Sequence, residues 1–251
     1  MISKQDKQII GKDMVKYKKV FENDEFIVVN KPAGLLVHGS DHIKEETLVD
    51  QLLVEYPALS KVGEDPARPG IMHRLDRLAS GLLVVAKTED SFANLKNQFK
   101  KRTIEKYYTT LVFGNIERDS VEIDFPLIRS TKGNKMAAIP ATVHGVKNEE
   151  GRNASTRFEV VKRFINFTLL KVKIKTGRTH QIRAHMAAYG NPIVGDEVYS
   201  TKKTKAKNKK INLGRIFLVA DKLSFVDLKG EKQTFEIELP EELKELLKVV
   251  K

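Results

Sequence analysis

The chain contains no cysteine, which excludes disulfides, thiolate catalysis and zinc-finger sites. It also lacks any apolar run approaching the roughly 20 residues of a membrane-spanning helix. Its opening residues, MISKQDKQIIGKDMVKYKK, hold no apolar stretch of the secretory kind. Together these absences set the expectation of a protein of the reducing cytoplasm. Acid is scarce relative to base: 33 Asp and Glu stand against 45 Lys and Arg, a net charge of +12. An excess of that size points to a polyanion partner. Each phosphate neutralised by a lysine or arginine releases counterions and tightens association.

What is present suffices for a core. A chain of 251 residues, 41% of them hydrophobic, can bury an interior without covalent staples. Alternation and strand formers predict strands over 25–30, 80–87, 106–114, 155–164, 167–177 and 233–240, with a hairpin turn around Ile165 and Asn166. Helical spacing marks TLVDQLLVEY, with Leu48, Leu52 and Leu53 on one face. It also marks EDSFANLKNQFKK, with Phe92, Leu95 and Phe99 aligned and Thr88 as N-cap. RTHQIRAHMAAYG places Ile182, Met186 and Tyr189 together, and Gly190 ends that helix. A last helix opens at Pro240. Strands and helices do not alternate regularly, which favours an α+β class over a doubly wound sheet. Neither an internal repeat nor a break into independent domains is visible. STKKTKAKNKK (200–210) is the low-complexity run and reads as a flexible lysine loop, either solvated or resting on phosphates.

The stretch RPGIMHRLDRLASGLLVVAKT (68–88) poses the chemical question. Asp76 stands among His73, Arg74 and Arg77, on an irregular segment that opens at Pro69-Gly70 and leads into an apolar strand. Cations on both sides favour its ionised form. Such a carboxylate, once oriented, serves as a nucleophile or an electrostatic stabiliser; the alternative is a structural Asp–Arg ion pair. It has no second acid beside it. With Leu78 two residues on, the aspartate-nucleophile phosphatases fall away.

A second cluster, TGRTHQIRAH (176–185), has Gly177 for a tight turn. It sets Arg178, Thr179 and His180 at the expected positive start of a helix, where phosphate or carboxylate binds readily. Arg183 falls at the edge of the apolar face, within reach of a buried acid. The alternative for Arg178 and Arg183 is a plain surface cation. His180 and His185 are five apart and share no helix face, and His38 and His42 lie in a loop with no matching acid cluster, so no metal site is expected.

HRLDRLASGLLVVAK and TGRTHQIRAHMAAYGNPIVGDEVY together resemble the RluA-type pseudouridine synthases, which isomerise uridine in ribosomal or transfer RNA. VVNKPAGLLVH resembles the opening strand and loop of their catalytic domain, KYYTTLVFG its tyrosine strand and NASTRFEVV a later strand. The resemblance implies a catalytic domain over 21–251 after an N-terminal extension, 1–20. Its fold would be a mixed, largely antiparallel central sheet with flanking helices and an RNA cleft. By the same resemblance Asp76 is the catalytic aspartate and Arg183 its partner. Tyr108 packs on the flipped uracil and accepts the proton from C5, while Arg74 enters the RNA stack. His73, Arg77, Arg178, His180, Lys202, Lys203 and Lys205 complete the expected RNA contacts. The partner is RNA; no cofactor, metal or membrane is expected, and the chain is expected to be a monomer.

The resemblance also explains the solitary acid. Breaking N1–C1′ and joining C5 to C1′ needs neither redox change nor hydrolysis. One carboxylate can capture C1′, attack C6 or take a ribose proton, and the sequence leaves all three open. Two stretches depart from the family. Leu78-Ala79-Ser80-Gly81 replaces a common Asp-Thr-Ser-Gly and so removes a hydroxyl beside the Asp76 loop. GRIFLVADKLSF stands where a histidine is frequent. The S4-like module that many relatives carry is not expected before the first strand. A catalytically inactive RNA-binding or ribosome-assembly protein is the alternative reading, and it would have no use for the Asp76, Tyr108 and Arg183 set.

Overall fold

The computed structural model describes residues 15–39, 45–130, 135–139, 142–143, 146–147 and 151–250; His42 and most of the N-terminal extension lie outside them. The chain forms two compact units, Met1–Ile104 with Leu223–Glu236 and Glu105–Lys222 with Ile237–Lys251. Neither is a continuous segment.

The first unit holds β1 (Lys18–Glu22), β2 (Phe26–Lys31), α1 (Leu48–Glu55), β3 (Ser80–Ala86) and α2 (Glu89–Lys101). Its strands run in the order β1-β2-β3, antiparallel, with Phe26 opposite Ala86 and Lys31 opposite Gly81. All seven residues of β3 are buried. That is why LLVVA reads as a continuous apolar run and not as an alternation: both faces are covered. Helix α1 begins at a capping box in which Thr47 Oγ1 accepts the Asp50 N–H and Asp50 Oδ2 accepts the Thr47 N–H. Helix α2 is capped by Thr88, as expected, and buries Phe92 and Leu95. Strand β1 starts at Lys18, inside the stretch read as an extension.

The second unit holds β4 (Glu105–Phe113), β5 (Ser120–Ile123), β6 (Leu127–Arg129), β7 (Met136–Ala138), β8 (Thr142–Val143), β9 (Val146–Lys147), β10 (Thr156–Arg163), β11 (Phe167–Ile174), α3 (Gln181–Ala188) and α4 (Lys202–Ile211). Its main strands run β4-β11-β10-β5, again antiparallel. The β10–β11 hairpin closes at Ile165 and Asn166, with the Phe164 N–H on the Phe167 carbonyl at 2.9 Å. β12 (Leu218–Val226) begins in this unit and ends in the first, where β13 (Lys232–Glu236) pairs with it, and α5 (Glu241–Val249) follows Pro240. The α+β class is therefore observed. Among the described residues no helix is long and apolar enough to cross a membrane.

One expectation is corrected. The lysine run is not a flexible loop but helix α4. Thr201 and Thr204 form a capping box at its start, and Asn212 closes it in the left-handed region at φ 49°. The helix buries Thr204 and Asn208 and turns Lys202, Lys203, Lys205, Lys209 and Lys210 to solvent. Its inward face is polar, so no apolar periodicity announces it.

Candidate active site

In the first unit Asp76 lies on the loop that precedes β3. Gly70 opens this loop at φ +68°, where a Cβ would stand 2.5 Å from the Ala86 carbonyl oxygen; the turn signal at Pro69-Gly70 thus marks a close backbone approach. Ile71 then bridges to Val85, and the chain leaves and returns as β3. His73 Nε2 accepts the Val84 N–H at 3.1 Å while its ring packs on Phe99 at 4.7 Å. The Gly34 N–H donates to the Arg77 carbonyl at 2.8 Å, and Arg77 Nε donates to the Gly34 carbonyl at 3.1 Å. Arg77 Nη2 pairs with Glu45 at 2.7 Å. His73 and Arg77, expected as RNA contacts, thus hold the loop in place.

Lys31 adds the deepest tie. It is fully buried at the end of β2, and its Nζ donates to the carbonyls of Pro32 at 2.7 Å, Leu35 at 2.8 Å and Arg77 at 3.2 Å. A turn from Asp76 to Ala79 closes at 3.1 Å between backbone groups. It needs no hydroxyl at position 79. Asp76 itself is half-buried, and Arg74 is exposed with Nη1 3.4 Å from His38 Nε2.

In the second unit Tyr108 is buried on β4, opposite Val172. Alternation places Lys106 on the same face and Tyr107 on the other, where Lys173 Nζ lies 4.9 Å from the Tyr107 ring centre. Lys106 is also buried, and the loss of hydration pulls its amine down to about 8. Its Nζ borders Gly177 of the TGRTH turn.

That turn differs from expectation. Helix α3 starts at Gln181, not at Arg178, and His180 is its N-cap in the left-handed region at φ 53°. Gln181 dictates this. Its Oε1 accepts Thr176 Oγ1 at 2.7 Å and the Arg178 N–H at 3.1 Å, while its Nε2 donates to the Ser155 carbonyl and Thr156 Oγ1, both at 3.0 Å. Four bonds from one buried amide fold the turn back onto β10. Arg178 is half-buried, with Nε 3.4 Å from the Asn153 carbonyl. His185 is fully buried between Thr156 Oγ1 and the Phe125 carbonyl, and burial lowers its pKa. It is a core histidine. Among the described residues no group of three or more His, Asp or Glu is placed to hold a metal ion.

Arg183 is buried, and the carboxylate that takes its fork in this unit is Asp196: Nε to Oδ2 at 2.7 Å and Nη2 to Oδ1 at 3.0 Å. The guanidinium carbon lies 5.1 Å over the Tyr199 ring. Tyr199 Oη in turn meets His180 Nδ1 at 3.1 Å and accepts the Met136 N–H at 2.8 Å. Sequence reading assigned no role to Asp196 or Tyr199, although both stand in the GNPIVGDEVY motif. The available signal was Gly195 directly before the acid. At φ +81° a Cβ on Gly195 would fall inside the van der Waals envelope of the Arg215 carbonyl oxygen. Gly195→Ala is therefore expected to destabilise the chain by about 3 kcal/mol or more. Urea unfolding measures this, and an unchanged midpoint would refute it.

A family model for RNA pseudouridylate synthase matches residues 25–188. An uncharacterized RNA pseudouridine synthase of Aquifex aeolicus is 40% identical over 230 residues, covering 90% of this chain and 70% of that protein. The ribosomal large subunit pseudouridine synthase D of Zymomonas mobilis is 37% identical over 235 residues, covering 92% of this chain and 72% of that protein. Human RNA Pseudouridylate Synthase Domain Containing 1 shares the fold, with a TM-score of 0.69 at 22% identity over 94% of this chain and 96% of its own. The chain therefore belongs to the RNA pseudouridylate synthase family, as a member of the RluA type, and is an isomerase that converts uridine to pseudouridine in RNA.

Proposed function

We propose that the chain modifies uridine in large-subunit ribosomal RNA, with Asp76 as its catalytic carboxylate. The observation that carries the assignment of Asp76 is its loop: an irregular segment tied to β2, β3 and α2 by His73, Arg77 and Lys31. Reacting groups need such placement, since a segment free of regular pairing can present a side chain while rigid neighbours fix it. Large-subunit RNA is favoured over transfer RNA because relatives at 36–39% identity are named for it.

In this reading Arg183 is the cation that balances Asp76, and Arg74 enters the stack as the target base flips out, a step that costs a few kcal/mol. Tyr108 packs on the expelled uracil and accepts the C5 proton once C5 has joined C1′. N1 gains a proton and C5 loses one, so no oxidant or water is consumed. The test uses unmodified large-subunit ribosomal RNA carrying tritium at uridine C5, with transfer RNA as the second arm. Tritium release from the ribosomal RNA supports the proposal. Release from transfer RNA alone moves the substrate, and release from neither, with RNA still bound, returns the chain to the inactive binding-protein reading.

Arg178, His180 and the exposed lysines of α4 supply phosphate contacts in the same proposal. Changing Lys202, Lys203 and Lys205 together to glutamine should lower the slope of log affinity against log salt by about 2, at roughly 0.7–0.9 per phosphate contact. Filter binding across a salt series measures this. An unchanged slope would remove α4 from the interface.

A further inference from the structure

Arg183 lies in a built seat on Asp196 and Tyr199. Asp196 is fully buried and spends its whole carboxylate on two tasks. Oδ2 and Oδ1 take Nε and Nη2 of Arg183, and Oδ1 also accepts the N–H groups of Val198 at 2.9 Å and Tyr199 at 3.0 Å. The second task curls the chain so that the Tyr199 ring comes under the guanidinium. The arginine is thus clamped edge-on by a charge and face-on by a ring, the arrangement that fixes a guanidinium most tightly.

The seat extends to α4. The Asn208 side chain is buried and brackets Asp196 along the backbone. Its Oδ1 accepts the Gly195 N–H at 2.8 Å, and its Nδ2 donates to the Asp196 carbonyl and to Ser200 Oγ, both at 3.1 Å. Ser200 Oγ donates to the same Asp196 carbonyl. All of these residues lie beyond 188, outside the span matched by the family model.

We infer that Asp196 is the positioning residue for Arg183, and that Asn208 makes helix α4 part of the same seat. This rests on the proposed role of Arg183. A guanidinium has five N–H donors in a fixed fork. Asp196 engages the Nε–Nη2 edge, so Arg183 acts on a second anion through its Nη1 end, at an angle that Asp196 sets. Without the carboxylate the cation stays buried but loses its bearing. A displacement of about 1 Å at a reacting group costs on the order of 100-fold in rate.

The experiment compares the full chain with Asp196→Asn and Asn208→Ala, reading tritium release from C5-tritiated large-subunit and transfer RNA transcripts. Asp196→Asn is expected to lower kcat about 100-fold while leaving KM and the stoichiometry of RNA binding near wild type. A merely structural defect would instead lower the fraction of protein that binds RNA. Asn208→Ala leaves the ion pair chemically intact and loosens only its base, so its kcat should fall about 10-fold with the same unchanged KM. If Asp196→Asn shows no cooperative melting, Asn208→Ala decides. A folded variant with kcat within about 2-fold of wild type, a change well below the 100-fold expected, overturns the inference alone. Silence of the wild-type chain on both RNAs overturns the isomerase reading and the inference with it.

Discussion

Asp76→Asn is expected to reduce tritium release by on the order of 10⁴-fold or more, the scale seen when a group at the centre of the chemistry is removed. Asparagine keeps the shape of aspartate and loses only its charge and basicity. Under each of the three routes that charge is what reacts: it captures C1′, adds to C6 or takes a ribose proton. The loop should survive, because its ties run through His73, Arg77, Lys31 and backbone groups, not through the Asp76 carboxylate alone. Stability should therefore change by less than about 1 kcal/mol, as for substitutions away from the loop's anchors. RNA affinity should hold within about 3-fold, since phosphate contacts dominate it. Turnover near the wild-type rate would remove Asp76 from the reaction.

The second large effect is structural. Lys31→Met should destabilise the chain by about 2–4 kcal/mol, from the carbonyls of Pro32 and Leu35 left without their Lys31 donor. Replacing buried charge with an apolar group of similar length is sometimes harmless, because desolvation had made the charge expensive. That relief requires both partners to become apolar. Here the acceptors are backbone carbonyls, which no side-chain change can remove; that of Arg77 keeps the Gly34 N–H, and those of Pro32 and Leu35 lose their Lys31 donor. Unsatisfied acceptors therefore outweigh the relief. A loss of this size is a large share of the roughly 5–15 kcal/mol that holds a folded domain. It should appear as a lower urea midpoint at an unchanged slope. Because Arg77 follows Asp76 directly, turnover of the folded fraction should fall as well. A destabilisation under about 1 kcal/mol, the worth of one ordinary hydrogen bond, would show that water or a shifted loop replaces the amine.

Much of this protein was written locally. The hairpin at Ile165 and Asn166, the N-cap at Thr88, the buried face of α2 and the apolar run of β3 all depend on residues within a turn or a strand of one another. Periodicity and capping register such neighbours directly. The two motifs around Asp76 and Arg183 were legible for the same reason: their residues are close in sequence. Charge composition pointed to a polyanion without any structure, because net charge is a sum over residues and not over positions.

Tertiary structure decided the rest. The lysine run became a helix because Thr204 and Asn208 find polar seats, and a polar inward face leaves no hydrophobic period to read. Helix α3 lost its expected first turn because Gln181 bonds backward to Thr176, Ser155 and Thr156 across two strands. The bracing bonds of His73, Arg77 and Lys31 were not legible in the sequence, because their partners lie on other segments: β3 for His73, the Gly34 carbonyl for Arg77, and the Arg77 carbonyl for Lys31. Asp196 took the fork of Arg183 across 13 positions of sequence. A local pattern can say that a charged side chain will be buried near a turn. Which opposite charge meets it depends on where the rest of the chain has folded, and burial forces that choice because an unpaired ion inside costs several kcal/mol.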